Sequence, residues 1–177
     1  NFVPWQGHDF SFRGMSSLQS AHYSGAGHLL SFFGTDTLAA IDWIKEFYPT
    51  SGLIGGSVAA TEHSVATAYG PERERDYFKR LLLLYPTGIF SAVADSYDFW
   101  YVLTDILPSL KTEIMARNGK LVVRPDSGDP VDIICGTNTW NIPVTDGSPQ
   151  SKGAVEMLWD TFGGTINAKG FKVLDPH

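Results

Sequence analysis

Gly88-Ile89-Phe90-Ser91-Ala92-Val93-Ala94-Asp95 is short, apolar and β-prone, and it ends in an acid. Such a run reads as a strand buried inside a parallel sheet. Lys120-Leu121-Val122-Val123-Arg124 is a second strand, running into Pro125-Asp126-Ser127-Gly128-Asp129-Pro130. Between them, residues 97–117 predict one long helix with Val102, Ile106, Leu110 and Ile114 along its face. Pro108 would kink it, and Asn118-Gly119 would close it. Strand, helix, strand is the α/β pattern, with a largely parallel sheet or barrel.

Working outward, the same alternation holds upstream. Asn1–Gly14 reads as an extended segment ending in a turn, and Ser16-Ser17 caps a helix over residues 18–32. Gly34-Thr35-Asp36-Thr37 is a turn before a helix whose stripe is Ile41, Ile44 and Tyr48. A short helix spans residues 62–69 and stops at Gly70-Pro71, where Pro71 opens the next helix, which runs towards Pro86. Downstream, residues 137–152 form a polar surface loop, 153–162 a helix, and 171–174 the start of one more strand.

Composition sets limits. A chain of 177 residues with 43% hydrophobic residues is long and apolar enough for a packed core, and it is expected as a single α/β domain. The net charge of −6 and the lack of a basic stripe argue against general nucleic-acid binding. No apolar run approaches the ~18 residues of a membrane span. The first residues have no basic or apolar signal-peptide region, and the single cysteine, Cys135, favours a reducing, cytoplasmic setting. Charged residues are 18%, which, with the many aromatics, suggests surface covered by something else.

Ligands in parallel α/β folds sit beyond the carboxyl ends of the strands. Asp95 and Asp126 both stand there, and two such carboxylates could share a Mg²⁺, directly or through water. The plainer reading is that each caps the next turn. Arg124 beside Asp126 tilts the pair towards an anion or phosphate. His63 sits at a helix start, where a phosphate carried on the ring would meet backbone N–H groups, or it is simply a surface histidine. Asp36 is a helix cap or a ligand acceptor. Phe10 and Phe12, flanking Ser11, would put one ring inward and one outward, and a single exposed ring beside Arg13 could stack on a planar ligand, unless both are ordinary core. His22 and His28, six apart, read as structural. No zinc spacing, Walker loop, dinucleotide fingerprint or nucleophile elbow is present.

In order and spacing, the segments His8-Asp9-Phe10-Ser11-Phe12-Arg13-Gly14, Gly34-Thr35-Asp36-Thr37, Ser57-Val58 with Glu62-His63-Ser64, Asp95-Ser96-Tyr97-Asp98 and Arg124-Pro125-Asp126-Ser127-Gly128 resemble the nicotinamide phosphoribosyltransferases. The resemblance runs from about His8 to Pro130 and weakens from Val131 to Lys169. It implies part of an irregular (β/α) barrel of the type II phosphoribosyltransferase kind. It implies formation of nicotinamide mononucleotide and pyrophosphate from nicotinamide and phosphoribosyl pyrophosphate. Phe10 would stack on the pyridine ring, Asp36 accept from the carboxamide, and Ser57 and Val58 line the tunnel beside the base. Arg124 would reach the amide oxygen or the pyrophosphate, and Arg13 and His63 would meet pyrophosphate. His63 would be the residue phosphorylated by ATP, an optional activating co-substrate. Asp126 would hold ribose hydroxyls and, with Asp95, the Mg²⁺ shell. Ser11-Phe12 replaces a familiar Gly-Tyr, and Ala59-Ala60-Thr61 replaces Pro-Ala-Ala, without loss of a functional side chain. A homodimer with a shared active site is implied, as are an N-terminal domain before Asn1 and a Gly-rich phosphate loop beyond His177. The chain is therefore expected to be a fragment, inactive by itself.

Three alternatives remain at this level. A nicotinate enzyme uses the same chemistry, but a carboxylate at Asp36 would repel nicotinate. A non-catalytic α/β module would keep the scaffold alone. A Mg²⁺-dependent phosphohydrolase on Asp95 and Asp126 lacks further carboxylates at recognisable spacing.

Overall fold

The computed structural model describes residues 3–137 and 147–177. Within the single domain expected from length, contacts group into two compact units, Asn1–Val58 and Ala59–His177.

In the first unit, strands β1 (His8–Asp9) and β2 (Gly34–Thr35) pair in parallel, with His8 opposite Gly34 and Asp9 opposite Thr35. Gly34 bridges onward to Gly56. The connection from β1 to β2 contains helix α1 (Leu18–Leu29), which begins where the Ser17 hydroxyl accepts the Ser20 N–H. Helix α2 (Leu38–Phe47) packs on α1. A Cβ on Gly25 would stand 2.5 Å from that of Ala40, so only glycine allows this approach.

In the second unit, β3 (Ala59–Ala60), β4 (Thr87–Val93) and β5 (Asn118–Arg124) form a parallel sheet in that order. Helices α3 (His63–Tyr69) and α4 (Glu74–Leu84) link β3 to β4, joined by a 3₁₀ turn at Pro71–Arg73. Strand β4 ends in four consecutive buried residues, so both its faces are covered, and Phe90 and Val93 belong to one core cluster with Tyr77, Phe78, Leu103, Leu107 and Leu110. This is the α/β architecture that the strand runs predict.

Several details differ from expectation. The helix predicted over 97–117 is broken into α5 (Phe99–Tyr101), a π turn (Val102–Ile106), α6 (Leu107–Ser109) and α7 (Lys111–Met115). Pro108 has no N–H for the Thr104 carbonyl, and the helix widens just ahead of it. Asn118-Gly119 does not cap that helix but opens β5, where Gly119 lies against the Gly88 backbone too closely for any Cβ. Helix α8 (Pro130–Cys135) was not expected, although Asp129 caps it by accepting from Val131 and Asp132 N–H, and proline follows at the first helical position.

Helix α9 (Pro149–Phe162) starts four residues before Gly153, which kinks it with a φ of 79°. Residues 138–146 of the expected 137–152 loop lie outside the described residues. Strand β7 (Lys172–Leu174) pairs antiparallel with an unexpected β6 (Gly164–Ile166).

Candidate functional site

The expected site residues fall into two groups, one in each unit. In the first unit, pleat alternation decides which side chains are available. His8 and Phe10 point one way and the buried Asp9 the other; across the strand pair Asp36 is exposed between buried Thr35 and Thr37. The His8 Nε2 lies 2.9 Å from Asp36 Oδ2. A carboxylate only accepts, so Nε2 carries the proton. The His8 ring stacks on Phe10 at 4.4 Å between centroids and 28° between planes. Phe10 is 55% and Phe12 47% exposed, so neither ring is core and the expected inward ring is not found. Asp36 is not a helix cap, because the residue at the α2 cap position is Thr37.

Asp9 holds this arrangement from beneath. Its Oδ1 accepts from Ser11 N–H, and its backbone carbonyl accepts from Asp36 N–H. Burial pushes the Asp9 carboxyl up, but Ser11, Thr37 and His28 outweigh that and hold it below its ordinary value. His28 is structural, with Nε2 at 2.8 Å from the Gly34 carbonyl. Arg13 is exposed on the 3₁₀ turn Ser11–Gly14. Ser57 and Val58 are also exposed, and the Ser57 hydroxyl donates to the Val58 carbonyl.

In the second unit, parallel register aligns the strand ends: Val93 stands opposite Arg124, and Ala94 N–H donates to the Arg124 carbonyl. Asp95 and Asp126 follow directly. Asp95, with a 5% exposed side chain, accepts from Asp126 N–H at 2.8 Å and Ser127 Oγ at 2.6 Å through Oδ2, and from His63 Nε2 at 3.2 Å through Oδ1. Burial raises its pKa, but the Ser127, Asp126 and His63 contacts prevail and leave it lowered. The His63 Nδ1 is 3.8 Å from Asp126 Oδ2, and Arg124 Nη1 is 2.7 Å from Asp126 Oδ1. Arg124 Nη2 donates to the Thr61 carbonyl. His63, Asp95, Arg124 and Asp126 therefore form one cluster.

Sequence reasoning missed the supports of this cluster. Ser127 is the donor that locks Asp95, and its signal was its place in the tight Asp126-Ser127-Gly128 turn. Thr61 accepts from Val93 N–H through Oγ1 and meets Tyr77 Oη at 2.6 Å, a pairing of residues distant in sequence that no local pattern announces.

Among the described residues, no group of three or more His, Cys, Asp or Glu side chains is arranged to hold a metal ion. Asp95 is nearly buried and already accepts hydrogen bonds on both oxygens, through Oδ2 from Asp126 N–H and Ser127 Oγ and through Oδ1 from His63. Such a carboxylate suits a water-mediated contact with a cation more readily than a direct one. Asp126, with a side chain 48% exposed, fits the single-carboxylate ligation typical of Mg²⁺ bound with phosphate oxygens.

Parallel strands ending in this cluster define an α/β protein with a group of charged side chains at its strand ends. The sequence profile of the nicotinate phosphoribosyltransferase (NAPRTase) family matches residues 5–174, and the chain belongs to that family, whose fold is the type II phosphoribosyltransferase one. The chain is similar to proteins named nicotinamide phosphoribosyltransferase from three bacteria. It is 50% identical to that of Acinetobacter baylyi over 96% of this chain and 34% of the relative. It is 44% identical to that of Mycoplasma pneumoniae over 98% and 35%, respectively. It is 38% identical to that of Xanthomonas campestris over 98% and 34%. The chain thus spans about a third of the length of these relatives.

Proposed function

We propose that the intact protein transfers the phosphoribosyl group of phosphoribosyl pyrophosphate to nicotinamide, forming nicotinamide mononucleotide and pyrophosphate in NAD salvage. The observation that carries this reading is the convergence of His63, Asp95, Arg124 and Asp126 at parallel strand ends, in a chain whose relatives bear the name of this reaction. The pyridine nitrogen attacks the ribose C1 as pyrophosphate departs, a displacement carried by positioning and electrostatics.

In this reading Phe10 stacks on the pyridine ring and Asp36 accepts from the carboxamide, with Ser57 and Val58 beside the base. Arg13 meets the pyrophosphate. Arg124, oriented by Asp126 and the Thr61 carbonyl, presents its remaining donors to pyrophosphate or to the amide oxygen. Asp126 holds ribose hydroxyls. Asp126, with Asp95 directly or through water, would hold Mg²⁺, which would supply neutralising charge for the pyrophosphate. Asp95 holds His63 by Nε2, which leaves Nδ1 to take a phosphoryl group from ATP, the optional co-substrate. A cytoplasmic homodimer with a shared active site belongs to the same reading. It is supported by the resemblance and by exposed apolar side chains such as Leu30 and Leu53, each 88% exposed. No helix among the described residues is long and apolar enough to cross a membrane.

The family profile carries the name of nicotinate, the relatives that of nicotinamide. Asp36 decides between them, because a carboxylate attracts an amide N–H and repels a second carboxylate. The test compares kcat/KM for the two bases in the intact protein and its Asp36→Asn variant. We expect wild type to prefer nicotinamide and the variant to lose about tenfold or more of that preference. A wild type that makes no nicotinamide mononucleotide overturns the reading.

A further inference from the structure

We propose that His8 is the positioning residue that gives Asp36 and Phe10 their ligand-receiving geometry. This inference rests on the proposed function, since it assigns a task to a residue of the same base-binding group.

Three contacts immobilise the imidazole. Its Nε2–H donates to Asp36 Oδ2 at 2.9 Å. One ring face lies on Phe10 at 4.4 Å. Its other nitrogen sits over Gly34, directly opposite in the strand register, where an added Cβ would come within 2.6 Å of Nδ1. Gly34 is therefore the residue whose missing side chain makes room for the ring.

The consequence falls on the two neighbours. Asp36 is at the surface, where a short carboxylate has free choice of rotamer. The His8 hydrogen bond occupies Oδ2 and removes that choice. Among the described residues nothing donates to Oδ1, so this oxygen is the one presented to a ligand N–H. Phe10 is backed by the His8 ring and remains 55% exposed, which leaves ring surface to receive a ligand. A planar aromatic amide fits this pair: its ring on the exposed surface of Phe10 and its N–H at Asp36 Oδ1. His8 makes no contact with the amide itself; it acts through Asp36 and Phe10.

Two substitutions separate its hydrogen bond from its stacking. His8→Phe keeps an aromatic face for Phe10 but has no donor. His8→Gln keeps a donor but no ring. In the intact protein, His8→Phe is expected to raise the KM for nicotinamide about tenfold with kcat changed far less, and to lower the nicotinamide-to-nicotinate ratio of kcat/KM by a similar factor. His8→Gln is expected to restore that ratio to within about threefold of wild type. In an Asp36→Asn background the His8→Phe change should have little further effect, because the pair acts as one unit. A selectivity ratio unmoved by His8→Phe, equal loss in the Phe and Gln variants, or full additivity with Asp36→Asn would each overturn the proposal. All three are read against a wild type that turns over nicotinamide, so they differ from failure of the function itself.

Discussion

His63 has its two ring nitrogens facing two different carboxylates, Asp95 at 3.2 Å and Asp126 at 3.8 Å. That geometry fixes the ring plane, and the Asp95 bond leaves Nδ1 as the reactive nitrogen in the proposed phosphorylation. In the intact protein, His63→Ala should abolish stimulation by ATP, so that rates with and without ATP coincide. Acid-labile phosphate still forming on the Ala variant would place the phosphorylated residue elsewhere. The residue types of this cluster were legible in the sequence, because Asp95 and Asp126 each follow a β-prone run. Its internal wiring was not, since the His63–Asp95 and Ser127–Asp95 bonds join residues about thirty positions apart. His8 went unassigned for a related reason: its partner Asp36 is 28 residues away and only the β1–β2 register brings them together.

At the scale of elements, helix α4 carries an acid where its hydrophobic face begins. Glu74 is 2% exposed, with Oε1 buried and without a hydrogen bond among the described residues. Burial first, and the Asp98 charge second, push its carboxyl from 4.5 up to about 7. The folded state therefore keeps a proton that the unfolded chain has released between those values. Its contribution to stability is present below pH 4.5 and falls as pH rises through about 7. Glu74→Gln, which cannot ionise, should gain on wild type by roughly 1–3 kcal/mol between pH 5 and pH 8. Unfolding of the intact protein at both pH values checks this, and comparing the two cancels any fixed cost of the amide. Parallel difference curves at the two pH values would show that Glu74 is already solvated in the folded state. The helix itself was legible from Tyr77, Phe78 and the Leu81–Leu84 run. The π turn before Pro108 was not, because an amphipathic stripe reports the face a helix buries and not how its hydrogen bonds are rearranged around a missing N–H.

At the scale of the molecule, the chain spans about a third of its relatives and carries surfaces that suit further packing. An apolar cavity of about 220 Å³ opens among Leu107, Ile114, Leu121, Val123, Leu158 and Phe162, and none of the expected site residues line it. The sequence contains no Gly-rich loop of the kind that cradles a 5′-phosphate at a helix start. Binding energy from a remote phosphate helps orient the reacting carbon, so its loss lowers turnover as well as affinity. Residues 1–177 expressed alone should therefore form no detectable nicotinamide mononucleotide, and should self-associate in light scattering through exposed apolar faces. A monodisperse monomer with robust turnover would place the whole phosphate site within these residues.

The sequence by itself determined the α/β class, the two strand ends that carry acids, and the chemical inventory of Phe10, Arg13, Asp36, His63, Asp95, Arg124 and Asp126. These are properties of local order: periodicity, turn residues, and the side chain that follows a strand. Only the tertiary structure decided that Asp95 accepts three hydrogen bonds, that Asp126 is tied to Arg124, and that His8 stands between Asp36 and Phe10. The physical reason is that a side chain's hydrogen-bond partners are set by parallel register and by crossover helices, which bring together residues that local sequence cannot pair.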